Sequence, residues 1–299
     1  MSKNKQKEIN LKKVIKFFVI FILFICGCLL YSRYIATTGL FVKEYKITDS
    51  KLTDNFHGLK IVHISDIHYG RTVKNRELKS IVKKVNELKP DIVVFTGDLI
   101  DKDITLTDKN SNDISNILSN IDASIAKYAI TGNHDYKFKN FDIIIENAGF
   151  INLNNNYDTI YKNGNSNILI SGVSTNYYKK DNKINDKLKT TFDYLNSFSQ
   201  KDDPKKPIYN ILLIHEPDFI DEIDKNKFDL ILAGHSHNGQ VRFPIIGATV
   251  LPPYAKKYYK EHYSLDDTEL YISSGIGTSA INFRFFNRPS INFYRLTNK

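Results

Sequence analysis

Five of the eight histidines in this 299-residue chain, His68, His134, His215, His235 and His237, come just after short apolar runs. Asp66, Asp98, Asn133 and Asp135 fall in the same segments. Carboxylate and imidazole donors in this mixture suit borderline divalent cations such as Mn, Fe and Zn. Each fragment alone is weak, because an Asp-x-His pair arises by chance and Gly-Asp after a strand is often only a turn. Five such fragments behind five separate strand-like runs point to one metal centre. A single tetrahedral ion is satisfied by four ligands, whereas Asp66, His68, Asp98, Asn133, His215, His235 and His237 offer seven. The surplus predicts two divalent ions sharing a bridging carboxylate.

The elements that must hold these groups read as alternating β runs and helices. Lys60–Ile64 is a short strand, and Leu78, Ile81, Val82, Val85 and Leu88 recur at the three- and four-residue spacing of a helix face. Pro90 closes that helix, and Ile92–Phe95 is a continuous apolar strand of the buried parallel type. Weakly helical text leads to a strand over Tyr128–Thr131 and a helix near Phe141–Ala148, followed by strands around 151–153, 158–161 and 167–173. Residues 179–206 are rich in Lys, Asp and Asn, end at Pro204 and Pro207, and read as a surface excursion of loop and helix. Strand 209–214, a helix near 217–226 and strand 229–233 return to the buried pattern. Beyond residue 240 the text predicts β hairpins at 240–243, 269–273 and 291–296. The expected fold is α/β, two sheets packed as a β-sandwich flanked by helices. The Asp, Asn and His residues then collect at the C-terminal ends of strands, where open α/β sheets bind ligands. Extended backbone through Asp66-Ile67-His68 would set both donors on one side with Ile67 turned to the core, and His235-Ser236-His237 repeats the arrangement. Gly97, Gly132 and Gly234 allow backbone to crowd the site.

Hydrophobic residues at 41% and charged residues at 25% exclude wholesale disorder. The only cysteines, Cys26 and Cys28, exclude a disulfide scaffold and a cysteine-ligated metal in the body. The net charge of +9 is concentrated at the start, where residues 1–34 hold seven basic side chains against Glu8 alone. Phe17–Tyr31 carries no charge, and with snorkelling by Lys16 and Arg33 a span from Val14 to Ile35 can cross a bilayer. Six lysines precede Phe17, so the positive-inside rule predicts a single-pass protein of the cell membrane with a cytoplasmic N-terminus and an extracytoplasmic body. No A-x-A cleavage site is evident, which favours an uncleaved anchor over a signal peptide. The organisation expected is a basic tail over 1–13, an anchor over 14–35, a linker and lead-in strand over 36–57, and the catalytic domain over 58–299.

Ser65-Asp66-Ile67-His68, Gly97-Asp98, Gly132-Asn133-His134-Asp135, His215 and Gly234-His235-Ser236-His237 together resemble the ordered signature of the calcineurin-like metallophosphoesterases. The resemblance implies the two-sheet fold, with Asp66, His68, Asp98 and His237 on one ion, Asp98, Asn133, His215 and His235 on the other, and Asp98 bridging. Within the family, the N-terminal anchor, Asn238–Arg242 and Ser274–Pro289 are similar to a bacterial membrane-anchored branch that includes UDP-diacylglucosamine pyrophosphatase-like enzymes. Asn238 departs from the glycine more usual there, and Tyr254–Tyr263 is unusually rich in Lys and Tyr. The mechanism expected is direct in-line attack on phosphorus by a metal-bridging hydroxide. His134 would stabilise developing charge or protonate the leaving oxygen, with Asp135 orienting its ring.

His63 reads as a core residue, His57 and His262 as exposed, and Arg242, Arg284 and Arg288 as surface or structural rather than phosphate-binding. Lys256–Lys260 reads equally as a headgroup contact or a solvated loop. The substrate expected is a phosphodiester or pyrophosphate, with the anchor favouring lipid-linked ones. A broad-specificity extracytoplasmic phosphatase is the alternative. A non-catalytic binding module is disfavoured because every ligand position has the right residue type. No nucleic-acid partner is expected, since the body beyond residue 34 has 35 basic and 32 acidic side chains and lacks a basic stripe.

Overall fold

The computed structural model describes residues 3–138, 140–162, 166–178, 183–198, 203 and 205–298. The chain opens with α1 (Lys3–Leu30), which continues into a π-helical turn over Tyr31–Ile35. Leu11–Ile35 is long and apolar enough to cross a membrane, and its central residues pack on nothing in the chain.

Two six-stranded sheets follow. β1 (Phe41–Thr48), β2 (Leu59–Ile64), β3 (Ile92–Phe95), β4 (Ala126–Ala129) and β5 (Ile151–Asn152) belong to the first. β6 (Asn156–Tyr161), β7 (Asn167–Gly172), β8 (Tyr209–Ile214) and β9 (Leu230–Ala233) begin the second. A small hairpin, β10 (Arg242–Phe243) and β11 (Gly247–Ala248), stands apart from both. β12 (His262–Leu265) and β13 (Thr268–Ile272) complete the second sheet, and β14 (Ser290–Thr297) returns to the first. The orders are β1-β14-β2-β3-β4-β5 and β12-β13-β9-β8-β7-β6.

The period-2 alternation of each strand explains the layering. Ile61, Ile92, Val94, Ile211, Leu213, Leu230 and Leu232 face inward and form the core between the sheets. Val62, Ile64, Val93 and Phe95 face the other way, against α2 (Asn75–Glu87), α3 (Asp108–Leu118) and α4 (Phe141–Asn147). Leu212, Ile214 and Ile231 do the same on the second sheet, beneath α5 (Ile184–Lys187) and the 3-10 turn Pro217–Glu222, with Phe192 of α6 (Lys189–Asn196) packed against that cluster. The strands β2, β3 and β4 are parallel, as are β7, β8 and β9, so their C-terminal ends share an edge in each sheet.

The fold is the expected helix-flanked two-sheet sandwich, with local differences. Residues 291–296 are not part of a hairpin. β14 pairs parallel with all eight residues of β1 and antiparallel with β2, which binds the segment after the apolar helix into the first sheet. The helix expected near 217–226 shortens to 3-10 turns, opened by Pro217. Of the excursion 179–206, the two short helices lie within 184–196, whereas Pro204 and several neighbours lie outside the described residues.

Candidate metal centre

The donors converge from five strands of both sheets. The loop after β2 carries Asp66 and His68, that after β3 carries Asp98, and that after β4 carries Asn133, His134 and Asp135. His215 follows β8, while His235 and His237 follow β9. The backbone that presents them is not extended. Asp66, His68, Asp98, His235 and His237 all lie in the left-handed region, with φ between 46° and 64°. Alternating left-handed residues, rather than a continued strand, bring Asp66 and His68 together while Ile67 enters the core. The same holds for His235 and His237. Asn238 is a sixth such residue (φ 53°), which explains a glycine preference there and why asparagine is tolerated. Its buried amide bridges Glu261 and Arg242 at 3.0 and 2.8 Å.

Among the described residues, three buried groups place ligand atoms within 4.8 Å of one another: Asp66, His68 and His237; His68, Asp98 and His134; Asp98, His215 and His235. Asp98 belongs to two of them, as does His68, so the groups form one continuous site. His68 Nε2 and His237 Nε2 are 3.0 Å apart, and His237 Nε2 is 3.4 Å from Asp66 Oδ1. Asp98 Oδ2 lies 3.3 Å from His215 Nε2 and 3.7 Å from His68 Nε2. Asn133 joins through Oδ1, 3.2 Å from His215 Nε2. All seven sequence-predicted donors are therefore brought together.

The outward hydrogen bonds fix which ring nitrogen faces the site. His215 Nδ1 donates to the Thr96 carbonyl at 2.6 Å, so Nε2 is the nitrogen turned toward Asp98 and Asn133. His235 Nε2 donates to the Pro253 carbonyl at 2.8 Å and leaves Nδ1 free. Burial pushes His68 and His235 down to about 3, which keeps both neutral and able to ligate. Burial and the Asp98 charge push the Asp66 carboxyl up to about 7, with His215 opposing. Burial also opposes charge on Asp98 and His215, yet their proximity wins: Asp98 is held well below, and His215 well above, its usual range. A proton on His215 thus stands where positive charge is wanted.

These residues fit divalent cations. Asp66, Asp98, Asp101 and Asp135 are four almost wholly buried carboxylates, faced by the guanidinium groups of Arg71 and Arg284. Buried carboxylates in excess of buried cations need a metal or a proton. His68 Nδ1 is also buried without a hydrogen-bond partner, 3.7 Å from Asp101 Oδ2, the kind of carboxylate that stands behind a metal-ligating histidine.

His134 sits at the rim of the group. Its Nδ1 accepts from the Lys102 backbone N–H at 3.1 Å, so Nε2 carries the proton, 4.0 Å from Asp98 Oδ2. Asp135 does not hold this ring. Its carboxylate instead accepts from the N–H groups of Asp98, Leu99, Ile100 and Gly132 at 2.6–3.3 Å, fixing the loop that carries Asp98. Burial and Asp98 push its pKa up to about 8, but four N–H donors on two oxygens require the ionised form.

Sequence reasoning missed Asp101, which takes Arg71 through Nε at 2.9 Å and stands behind His68. It assigned Arg284 no site role, yet that side chain is wholly buried, donates to Gly275 and Gly277 carbonyls at 3.1 and 2.6 Å, and lies 3.4 Å from His237 Nδ1. The signal for it was the Gly-Ile-Gly of 275–277. A methyl group on Gly275 would come within 2.8 Å of His237 Nδ1, and one on Gly277 would strike the Ile67 carbonyl, so this segment is packed directly on the site. His63 is buried, and His57 and His262 are exposed, as expected.

Residues 59–239 match a family model described as calcineurin-like phosphoesterase. The chain is 30% identical over 269 residues to an uncharacterized metallophosphoesterase of Bacillus subtilis, YkuE, covering 89% of this chain and 88% of that one. It is 27% identical over 290 residues to the UDP-2,3-diacylglucosamine pyrophosphatase LpxG of Chlamydia muridarum, covering 79% and 83% respectively. Among solved structures, the NAD nucleotidase of Haemophilus influenzae aligns over 74% of this chain and 46% of its own length, with 19% identity and a TM-score of 0.49.

Proposed function

Because the chain belongs to the calcineurin-like phosphoesterase family, and is thus a hydrolase, we propose that it cleaves phosphodiester or pyrophosphate bonds of membrane-associated substrates at a dinuclear centre. Asp66, His68, Asp98 and His237 would hold one ion and Asp98, Asn133, His215 and His235 the other, with Asp98 shared. The observation that carries this reading is the convergence of donors from both sheets on three buried groups linked through His68 and Asp98. Two divalent ions held by these residues would supply a nucleophile from water and the positive charge that phosphoryl oxygens need. The protein's own part is orientation and proton delivery. His134 offers its Nε2 proton to a phosphoryl or leaving oxygen, because the Lys102 N–H occupies Nδ1. Asp135 keeps the Asp98 turn rigid through four backbone N–H groups. The left-handed turns fix the donors before any ligand arrives.

The apolar span Leu11–Ile35 supports a membrane anchor, and the lysines before it support a cytoplasmic N-terminus with the domain outside. The name of the LpxG relative supports a lipid-linked pyrophosphate as substrate class. The test uses the full chain in detergent, stripped of metal and reloaded with Mn, Zn, Fe or Mg. Bis-p-nitrophenyl phosphate, p-nitrophenyl phosphate and a lipid-linked pyrophosphate are assayed side by side. Metal-dependent hydrolysis preferring the lipid or the diester is expected. Equal turnover of all three would favour the broad-specificity phosphatase, and no turnover with any metal would overturn the assignment.

A further inference from the structure

Beyond residue 40, thirteen large apolar side chains are exposed among the described residues, and six of them lie on one lip: Phe243, Ile245, Ile246, Val250, Ile281 and Phe286. The lip is continuous. Arg242 N–H donates to the Phe285 carbonyl at 2.9 Å, the Phe243 and Phe285 rings are 5.5 Å apart, and Gln240 Nε2 donates to the Ile281 carbonyl at 2.9 Å. It is also joined to the end of the apolar helix. The Tyr31 ring lies 6.0 Å from that of Phe285, and Arg284 N–H donates to the Ser32 carbonyl at 3.0 Å. Only residues 36–40 separate the π-helical turn from β1, and Arg288 pins them by donating to the Thr38 carbonyl at 2.8 Å. The lip therefore has little freedom to leave the surface at which the helix emerges.

The tip of the β10–β11 hairpin is the most pronounced part. Ile245 is fully exposed and Ile246 is 74% exposed. Ile245 also has φ +71°, a left-handed conformation that glycine or asparagine takes at little cost and a β-branched residue takes only with strain. Folding gains neither packing nor backbone ease from isoleucine at this position, so the side chain serves something outside the fold. The hairpin is also coupled to the metal centre. It grows directly out of His235–Asn238, Arg242 Nη1 donates to Asn238 Oδ1 at 2.8 Å, and the chain returns through Pro253, whose carbonyl holds His235. The Lys/Tyr loop lies alongside, with Ser236 Oγ donating to the Tyr259 carbonyl at 3.3 Å. Lys257 is engaged with Asp221 at 2.6 Å, while Lys256 and Lys260 are exposed on the loop.

We propose that this hairpin dips into the bilayer that the N-terminal helix crosses and holds the mouth of the metal centre against the lipid headgroups, so that amphiphilic phosphoesters are drawn directly from the membrane. The inference rests on the reading of Leu11–Ile35 as an anchor and of the site as a phosphoesterase. Continuity of the lip with the anchor identifies the occupant as lipid, and lysines flanking apolar tips suit anionic headgroups.

The chain has no tryptophan, so Ile246→Trp introduces a single probe and Ile143→Trp, an exposed position on α4, which packs on the outer face of the first sheet, a control. Each full-length variant is reconstituted into phosphatidylglycerol/phosphatidylcholine vesicles with and without dibrominated acyl chains. A side chain seated about 5–10 Å into the headgroup–acyl boundary gives blue-shifted emission and at least about twofold quenching at position 246, with none at 143. The double variant Ile245→Ser/Ile246→Ser is expected to lower kcat/KM for a vesicle-borne lipid pyrophosphate about tenfold, from the apolar surface lost, and to leave bis-p-nitrophenyl phosphate hydrolysis unchanged. Water-like, unquenched emission at 246 in the reconstituted protein overturns the proposal even if hydrolysis is intact, and points to a protein partner for the lip. Quenching without metal-dependent hydrolysis of any substrate upholds the hairpin's role and overturns the phosphoesterase reading instead.

Discussion

Asp98→Asn removes a charge from the carboxylate that two of the buried groups share and changes almost no volume. The hydrogen bond that Asp98 Oδ1 accepts from His134 N–H at 2.8 Å survives, because an asparagine oxygen can take it. What is lost is the charge on Oδ2, which lies 3.3 Å from His215 Nε2, 3.7 Å from His68 Nε2 and 4.0 Å from His134 Nε2. At such separations, with an effective dielectric of about 20, a unit charge is worth roughly 4–5 kcal/mol toward each unit of positive charge placed among those nitrogens. A divalent cation doubles the figure. Halving it again for relaxation and water leaves about 4–5 kcal/mol, or about three decades of metal affinity. The assay is equilibrium dialysis of the full-length variant against Mn or Zn, with bound metal counted by mass spectrometry and hydrolysis of bis-p-nitrophenyl phosphate followed in parallel. Metal occupancy and turnover should fall together, while the circular dichroism of the metal-free protein stays that of the wild type. A variant that binds both ions with unchanged affinity and turns over at the wild-type rate would refute the placement of Asp98 at the centre of the site.

Three further outcomes follow from the geometry. His134→Asn should keep the full metal complement and lose about 10²–10⁴ in turnover, since only the Nε2 proton donor is removed; a variant within tenfold of wild type would take His134 out of the mechanism. Gly234→Ala places a methyl group against Ser65 Oγ and 2.7 Å from Asp66 Oδ2. It should cost about 1–3 kcal/mol in overpacking, read as a lowered melting temperature, and should weaken metal binding; unchanged binding would mean that Asp66 is not held where the structure puts it. His63 is wholly buried, hydrogen-bonded to Thr96 Oγ1 at 2.8 Å, and pushed by burial from 6.5 down to about 3. Below pH 6.5 the unfolded chain therefore takes up a proton that the folded chain refuses, and stability falls by about 1.4 kcal/mol per pH unit until the folded value is reached. Between pH 7 and 5 this single residue should cost about 2 kcal/mol, and His63→Gln should remove that share from the pH dependence of the denaturant midpoint. An identical pH dependence in the variant would show that His63 is not the buried neutral group described.

The donors were legible because their chemistry leaves a pattern that folding alone has no reason to produce. A strand that ends in Asp-Ile-His, or in Gly-His-Ser-His, gains no packing from those side chains. The strands were legible for the opposite reason: Ile92–Phe95 and Leu230–Ala233 are apolar at every position because both their faces are covered. What could not be read was anything set by long-range contact. Asp135 was expected to orient the His134 ring because the two are adjacent in sequence, yet its carboxylate is captured by backbone N–H groups across the turn after β3. Arg284 looks like any surface arginine in the sequence. Only the return of the 274–290 segment over the Asp66 loop buries it. The same return carries β14 between β1 and β2, a placement that no local pattern encodes.

The backbone of the site shows why the two kinds of information separate. Five predicted metal donors occupy left-handed φ, at a cost of order 1 kcal/mol each, and the site also buries carboxylate charge. Local preference opposes every one of these choices, so they persist only because surrounding structure leaves no alternative. Asp66 N–H donates to the Gly97 carbonyl at 2.9 Å, His68 N–H to the Asp98 carbonyl at 3.0 Å, and Gly277 N–H to the Asp66 carbonyl at 2.8 Å. Each loop is thus bonded to another loop rather than to its own strand. A sandwich whose sheets both end at this edge can carry that strain, because its core lies in the layers beneath and is filled by residues that have no part in the chemistry. Residue types therefore announce the reaction, while the conformation that makes it possible is imposed by the rest of the molecule.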